Sequence, residues 1–394
     1  MRQFLLNFIK TNGWIYDVYY YLGSFLLKTL GMIVKTDNKC ILFVSFGGKK
    51  LDDSPKIIYD EMIKREDLKD LKYYWAFVDP KQFNIPKGEK IKIDTLKYFW
   101  IAQKSKIWVT NSAIERGLNF KKKETFYINT WHGTPLKKIG KDDNSISSSK
   151  GLGSKNISTQ NISLAQSEYD AAIFEHIFDL NPSNIMIWDL PRNDELQYVT
   201  KEKKNQIRKK MDIDKNKKVI LYAPTYREYE RDSKNNCCLR PPVNFKVWEQ
   251  TLGNEYIVLF RAHYEVAKVL GIQESEFIRD ISNYKNLNEL MIVSDMLISD
   301  YSSIFFDYSI LEKPMFCFAY DLETYIEKRG LYIDLESELP CKVNKDEKSL
   351  LENILNTNYE ESIENTKKFK QKYVPYAGKS TAKVIDLIER NLRK

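Results

Sequence analysis

Histidine is scarce in this chain, with three among 394 residues. The five cysteines, Cys40, Cys237, Cys238, Cys317 and Cys341, show no metal-ligand spacing, and an odd count gives no disulfide framework. A structural zinc site and a disulfide-built secreted scaffold are therefore excluded, and a reducing, cytoplasmic compartment is the simplest account. No G-x-G-x-x-G or P-loop signature occurs, which leaves classical dinucleotide binding and ATPase chemistry unsupported. No carboxylate cluster has metal-ligand spacing, so neither metal nor cofactor is expected. The apolar start, residues 1–34, lacks a small-residue cleavage site. Lys10, Asp17 and Lys28 interrupt it, so no uncharged stretch reaches the roughly 18 residues of a membrane-spanning helix.

What is present describes a globular protein. Hydrophobic residues make up 43% and charged residues 29%, and the length suits two domains. The net charge of +8 suits an anionic partner: nucleic acid, a phosphorylated small molecule or an anionic membrane surface. No nucleic-acid-binding motif accompanies it. In residues 1–34 the charged positions Lys10, Asp17 and Lys28, continued by Lys35, fall on one narrow helical sector. Aromatic and aliphatic residues such as Trp14, Tyr19, Leu22, Phe25 and Leu26 occupy the rest. This predicts an amphipathic segment lying in a membrane interface at the cytoplasmic face without crossing it. Gly13, Gly23 and Gly31 are expected to divide it into shorter helices.

Beyond residue 35, strand-like and helix-like runs alternate. Strands are predicted at 40–46, 73–78, 107–110, 125–130 and 185–188, and again at 219–223, 256–260, 296–299 and 315–318. Helices fall between them, with a charged helix or helix pair over 359–392. Such alternation means parallel sheets. The expected architecture is α/β with two Rossmann-like domains, 35–200 and 201–394, facing a central cleft, the last helix packing back on the first. The polar stretch 141–158 is predicted to be a long loop.

Two of the histidines sit in polar motifs that follow apolar runs, where an open α/β sheet presents chemistry. The run 125–130 leads into Trp131-His132-Gly133-Thr134-Pro135, and 256–260 leads into Arg261-Ala262-His263. Neutral imidazole can take a proton near pH 7. A third segment, Ser299-Asp300-Tyr301-Ser302-Ser303, joins a strand to a helix start, where unpaired N–H groups and the helix dipole favour phosphate. His176 reads as structural.

These three motifs occur in order with Leu190-Pro191-Arg192-Asn193-Asp194 and Tyr222-Ala223-Pro224-Thr225-Tyr226-Arg227. The set resembles the CDP-glycerol glycerophosphotransferase family of teichoic-acid synthesis, over roughly residues 40–390, and in size it is similar to the family's primases. The stretch Arg329 to Glu336 also matches, whereas Pro340-Cys341 departs from the family's proline-glycine pattern. The resemblance implies a GT-B fold and a reaction in which an acceptor hydroxyl attacks the β-phosphorus of CDP-glycerol or CDP-ribitol and CMP leaves. The implied acceptor is a polyprenyl-diphosphate-linked saccharide. His132 would be the base, with Gly133 and Thr134 beside the acceptor. His263, Arg261, Arg227, Thr225, Asp300, Ser302 and Ser303 would hold the donor, and Asp307 is a weaker candidate. Two alternatives stand beside this reading: a GT-B glycosyltransferase using a nucleotide sugar, and a non-catalytic basic protein that binds RNA or membranes.

Overall fold

The computed structural model describes residues 13–144, 159–225, 227, 241–262 and 272–394. The chain divides into two compact units. The first comprises 1–132, 146–194 and 376–394, and the second 133–145 and 195–375.

The first unit is built on a seven-stranded sheet. Its strands are β1 (Asp37–Val44), β2 (Lys72–Phe77), β3 (Glu89–Lys92), β4 (Ser105–Thr110), β5 (Phe126–Asn129), β6 (Ile162–Ala165) and β7 (Ile185–Ile187). The order is β3-β2-β1-β4-β5-β6-β7 and every pairing is parallel. Both faces are covered, so the central strands are apolar at consecutive positions rather than alternately. On β1, Ile41 and Phe43 join one core cluster with Val384, Ile385 and Ile388 of the C-terminal helix Ser380–Leu392. Leu42 and Val44 point the other way, onto Tyr98, Ile101 and Ala102. The short strands β3 and β6 were absent from the sequence expectation, β3 because charged residues alternate along it.

The helix α1 (Gly13–Ile33) is continuous through Gly23, and Gly31 lies within its last turn. This corrects the expectation that Gly23 and Gly31 divide it. A side chain at Gly23 would meet Leu118 at 3.0 Å, and one at Gly31 would meet the Gln103 side chain at 2.8 Å. These glycines permit close approach to the body of the unit. Hydrogen bonds seal the contact. Gln103 Nε2 donates to the Leu27 carbonyl at 2.8 Å, and the Asn119 N–H donates to Ser24 Oγ at 2.9 Å. The opposite side exposes Trp14, Val18, Tyr21, Leu22, Phe25, Leu26, Met32 and Ile33. Among the described residues no helix is long and apolar enough to cross a membrane.

The second unit holds a six-stranded parallel sheet of β8 (Lys218–Ala223), β9 (Tyr256–Phe260), β10 (Ile278–Asp280), β11 (Met296–Ser299), β12 (Met315–Phe318) and β13 (Val343–Asn344), in the order β10-β9-β8-β11-β12-β13. Ile220, Tyr222, Val258, Phe260, Ile298 and Phe316 form its core with Trp248 and Leu350. The segment 133–145 belongs here through the bridge between Lys137 and Leu331 and the Arg329–Asp143 ion pair. The charged C-terminal stretch is two helices, Tyr359–Tyr373 in this unit and Ser380–Leu392 in the first.

Candidate active site

A doubly wound parallel sheet opens a crevice where its strand order reverses, outside the C-terminal strand ends. In the first unit the reversal lies between β1 and β4. The loop leaving β1 carries Phe46, Gly47 and Gly48, and the loop leaving β4 carries Asn111 and Ser112. The two loops are tied together: the Phe46 N–H donates to Asn111 Oδ1 at 2.8 Å and the Gly47 N–H to Ser112 Oγ at 2.9 Å. The Gly48 N–H donates to the Ser45 carbonyl at 2.9 Å. These amides are spent inside the protein, so the glycine pair is not a phosphate cradle.

His132 follows β5, the next strand. Its Nδ1 lies 2.7 Å from the Asn111 carbonyl oxygen. A carbonyl can only accept, so Nδ1 carries the proton of the neutral ring and Nε2 the lone pair. The imidazole stacks on Trp131, with centroids 4.3 Å apart, and tilts against Phe46 at 5.6 Å. Burial lowers its pKa from the ordinary value, opposed by the Asn111 carbonyl and Asp53 and assisted by Arg192 and Lys50. The ring is therefore held neutral, with the lone pair on Nε2. Beneath it, Arg192 Nη1 donates to the His132 carbonyl at 2.9 Å and to Asp53 Oδ2 at 2.7 Å.

Backbone strain gathers at the same place. Phe46, Asp53 and Trp131 have φ of 46°, 67° and 53°, values costly for residues with side chains and kept mostly where function requires the geometry. Gly133 has φ of 137°, so its small size serves the backbone. Gly133 and Thr134, expected beside the acceptor, are buried, with Thr134 fully so.

In the second unit the reversal lies between β8 and β11, which puts Thr225 and Asp300 at adjacent strand ends. Arg227 and Asp300, expected to contact the donor, are each only 2% exposed and face one another. Arg227 Nη1 donates to Asp300 Oδ2 at 2.8 Å and to the Thr225 carbonyl at 2.6 Å, while Nε and Nη2 donate to the Asp321 carboxylate, both at 2.8 Å. The rings of Tyr301, Tyr320 and Tyr325 enclose the guanidinium. Burial opposes its charge, but the Asp300 and Asp321 carboxylates outweigh this and raise its pKa. Asp300 Oδ1 accepts the N–H groups of Thr225 and Tyr301 at 2.8 and 2.7 Å. The pair thus braces the two loops from within.

Ser303 caps the helix Ile304–Ser309, and Ser302 Oγ accepts the Ile304 N–H at 3.2 Å. Both serines are half-buried, and the helix has only six residues. Asp307 is buried on that helix. Arg261 is half-buried at the end of β9, and its Nη1 donates to the Tyr284 carbonyl at 2.5 Å. His263 lies outside the described residues, as do most of the loop 141–158 and the stretch 228–240. His176 is exposed on the helix Glu168–Phe178. Sequence reasoning missed Asn111, Ser112, Phe46 and Asp53, and quoted Arg192 without giving it a role. Asn111 and Ser112 carry one sequence signal, position just past an apolar run, which many loop residues share.

Two parallel doubly wound sheets, with a neutral histidine beside one switch point and a braced loop at the other, define a two-unit α/β enzyme scaffold. The pattern of the CDP-Glycerol:Poly(glycerophosphate) glycerophosphotransferase family matches residues 26–390, and the chain belongs to that family. It is 32% identical over 381 residues to a teichoic acid poly(glycerol phosphate) polymerase of Staphylococcus epidermidis, covering 91% of this chain and 52% of that protein. It is 32% identical over 366 residues to a teichoic acid glycerol-phosphate transferase of Staphylococcus aureus, covering 88% of this chain and 91% of that one. The chain thus spans about half the length of the first relative and nearly all of the second. A solved structure of a histidine-to-alanine variant of the wall teichoic acid polymerase TagF superposes with a TM-score of 0.84 at 31% identity, covering 93% of both chains.

Proposed function

We propose that this protein transfers glycerol phosphate, or ribitol phosphate, from a CDP-alditol to a hydroxyl of a polyprenyl-diphosphate-linked teichoic-acid or capsule precursor. The acceptor oxygen attacks the β-phosphorus, the phosphoanhydride bond breaks, and CMP departs. His132 Nε2 takes the hydroxyl proton. The second unit holds the diphosphate through Arg261, His263 and the helix start at Ser302 and Ser303, so the two units act as the acceptor and donor halves of a GT-B transferase. Arg227 and Asp300 keep Thr225 and Tyr301 in place for that task.

The observation that carries this reading is the state of His132: Nδ1 engaged by a carbonyl, pKa lowered by burial, Nε2 left as the base. Family membership supplies the donor class. The test is incubation with CDP-glycerol, CDP-ribitol or a UDP-sugar and a synthetic prenyl-diphosphate saccharide, with nucleotide release followed by chromatography. CMP release that requires the acceptor is the expected result. Turnover of the UDP-sugar alone would make the protein a glycosyltransferase, and no turnover of any donor would leave a binding role.

The exposed side of α1 supports residence at the cytoplasmic membrane face, because burying Trp14, Leu22, Phe25 and Leu26 in lipid removes a large apolar patch from water. Trp14 and Phe25 are 72% and 66% exposed, so glutamate at either should leave the fold intact. The double variant should lose liposome co-sedimentation by about tenfold or more, since each buried aromatic contributes about 1.5–3 kcal/mol. Unchanged co-sedimentation would place the membrane contact elsewhere.

A further inference from the structure

We infer that Asn111 is the positioning residue for His132, and this rests on the reading of His132 as the base. One residue bears on the imidazole twice, directly and through Phe46. Its carbonyl takes the Nδ1 proton at 2.7 Å, and its side-chain Oδ1 holds the Phe46 N–H at 2.8 Å. Phe46 in turn lays its ring against the imidazole from a strained backbone, with φ of 46°. Asn111 is 0% exposed and stands at the strand-order reversal between β1 and β4, so its backbone is fixed by two loops at once. The orientation of the amide is assigned by chemistry, because only an oxygen can accept the Phe46 N–H. The other end, Nδ2, is buried and donates to nothing among the described residues. Replacing NH2 by O⁻ therefore breaks no hydrogen bond and mainly adds charge.

No substitution removes the Asn111 carbonyl, so the side chain is the lever. Asn111→Ala frees the Phe46 N–H and the strained turn, and the carbonyl is no longer held in register with Nδ1. Asn111→Asp keeps the oxygen that accepts the Phe46 N–H but places a negative charge beside the ring. The charged groups already facing His132 are Asp53 at the start of the helix Asp53–Lys64, Arg192 after β7 and Lys50 after β1. A further carboxylate shifts that balance toward imidazolium.

The experiment labels the three histidines with ¹⁵N and records imidazole shifts against pH in the full chain, the His132 signal being the one absent from His132→Gln. In the wild type the proton should sit on Nδ1. In Asn111→Asp the His132 titration and the acid limb of kcat should both move up by about one pH unit or more. In Asn111→Ala kcat should fall about tenfold to a hundredfold, with donor KM within about twofold and a mixture of tautomers. A wild-type ring protonated on Nε2 overturns the inference, as does an Asn111→Asp enzyme whose titration and acid limb stay in place. If Asn111→Asp does not fold, the wild-type tautomer and the Asn111→Ala spectrum decide alone. The spectra also separate this inference from the catalytic one: should His132→Ala retain normal turnover, His132 is not the base, while the ¹⁵N shifts still decide whether Asn111 sets its tautomer.

Discussion

The two switch points of this molecule are built from different materials. In the first unit the crevice between β1 and β4 brings two loop amides, the Asn111 carboxamide, the Ser112 hydroxyl and one imidazole together, above the Arg192–Asp53 ion pair. In the second, the crevice between β8 and β11 rests on a buried arginine shared by two carboxylates. In the first, Asp53 favours the charged ring, Arg192 and Lys50 oppose it, and burial, the largest influence, favours the neutral form with its proton-accepting nitrogen. A buried ion pair cannot serve as an adaptable ligand. It locks loop geometry, since each charge is destabilising the moment the other leaves. The first site holds a neutral imidazole, and the second holds backbone groups still around a buried ion pair.

This contrast can be broken by four measurements. The largest effect is expected for His132→Ala, which should cut CMP release by about 10²–10⁴ while thermal unfolding stays cooperative, the usual cost of a lost general base. Near-normal turnover in a folded variant removes His132 from the mechanism. Next, Arg227→Met should destabilise the protein by about 3–5 kcal/mol in chemical denaturation, because buried Asp300 and half-buried Asp321 lose their shared cation. An Arg227→Met protein of normal stability with a raised donor KM would return Arg227 to the role of phosphate ligand.

Ser303→Asp sharpens the anion side of the comparison. Aspartate is a good N-cap and suits the positive helix end, so folding should hold, while on the proposed reading the added charge would repel the donor diphosphate. Donor KM should rise about tenfold, or about 1.4 kcal/mol, in steady-state kinetics. A KM unmoved by that charge would locate the diphosphate elsewhere.

The smallest effect is in pH dependence. Burial places the folded pKa of His132 below the ordinary 6.5, so the unfolded chain takes up the proton first as pH falls. Stability from this group is complete above 6.5 and is lost as pH drops through 6.5 toward the folded pKa. The acid limb of kcat/KM should likewise lie below 6.5. Urea titrations of wild type and His132→Ala between pH 5 and 8 should differ in slope only on the acid side. A difference confined to alkaline pH would contradict the burial argument.

Much of the fold was legible along the chain. The runs at 256–260, 296–299 and 315–318 coincide with β9, β11 and β12, because strands buried on both faces must be apolar at every position. The motifs that placed the chain in its family were equally local, as was Ser303 at a helix start. Gly23 and Gly31 were misread because a glycine that breaks a helix and one that lets it approach a neighbour look the same in sequence. The partners of Arg227 were hidden for a related reason: a basic residue after a strand suggests phosphate, and nothing nearby announces Asp321, 94 positions later.

By itself, then, the sequence determined where buried strands run, where helices begin, and which short polar segments follow strand ends. Those properties depend on residues within a few positions of one another. Strand order was decided only in three dimensions. It brings β1 beside β4, 65 residues on, and so makes Asn111 the neighbour of both Phe46 and His132. It also chose which polar groups became buried partners and which stayed open to substrate. Burial and pairing depend on what the rest of the chain packs around a residue, and that information is spread too widely for any local pattern to carry.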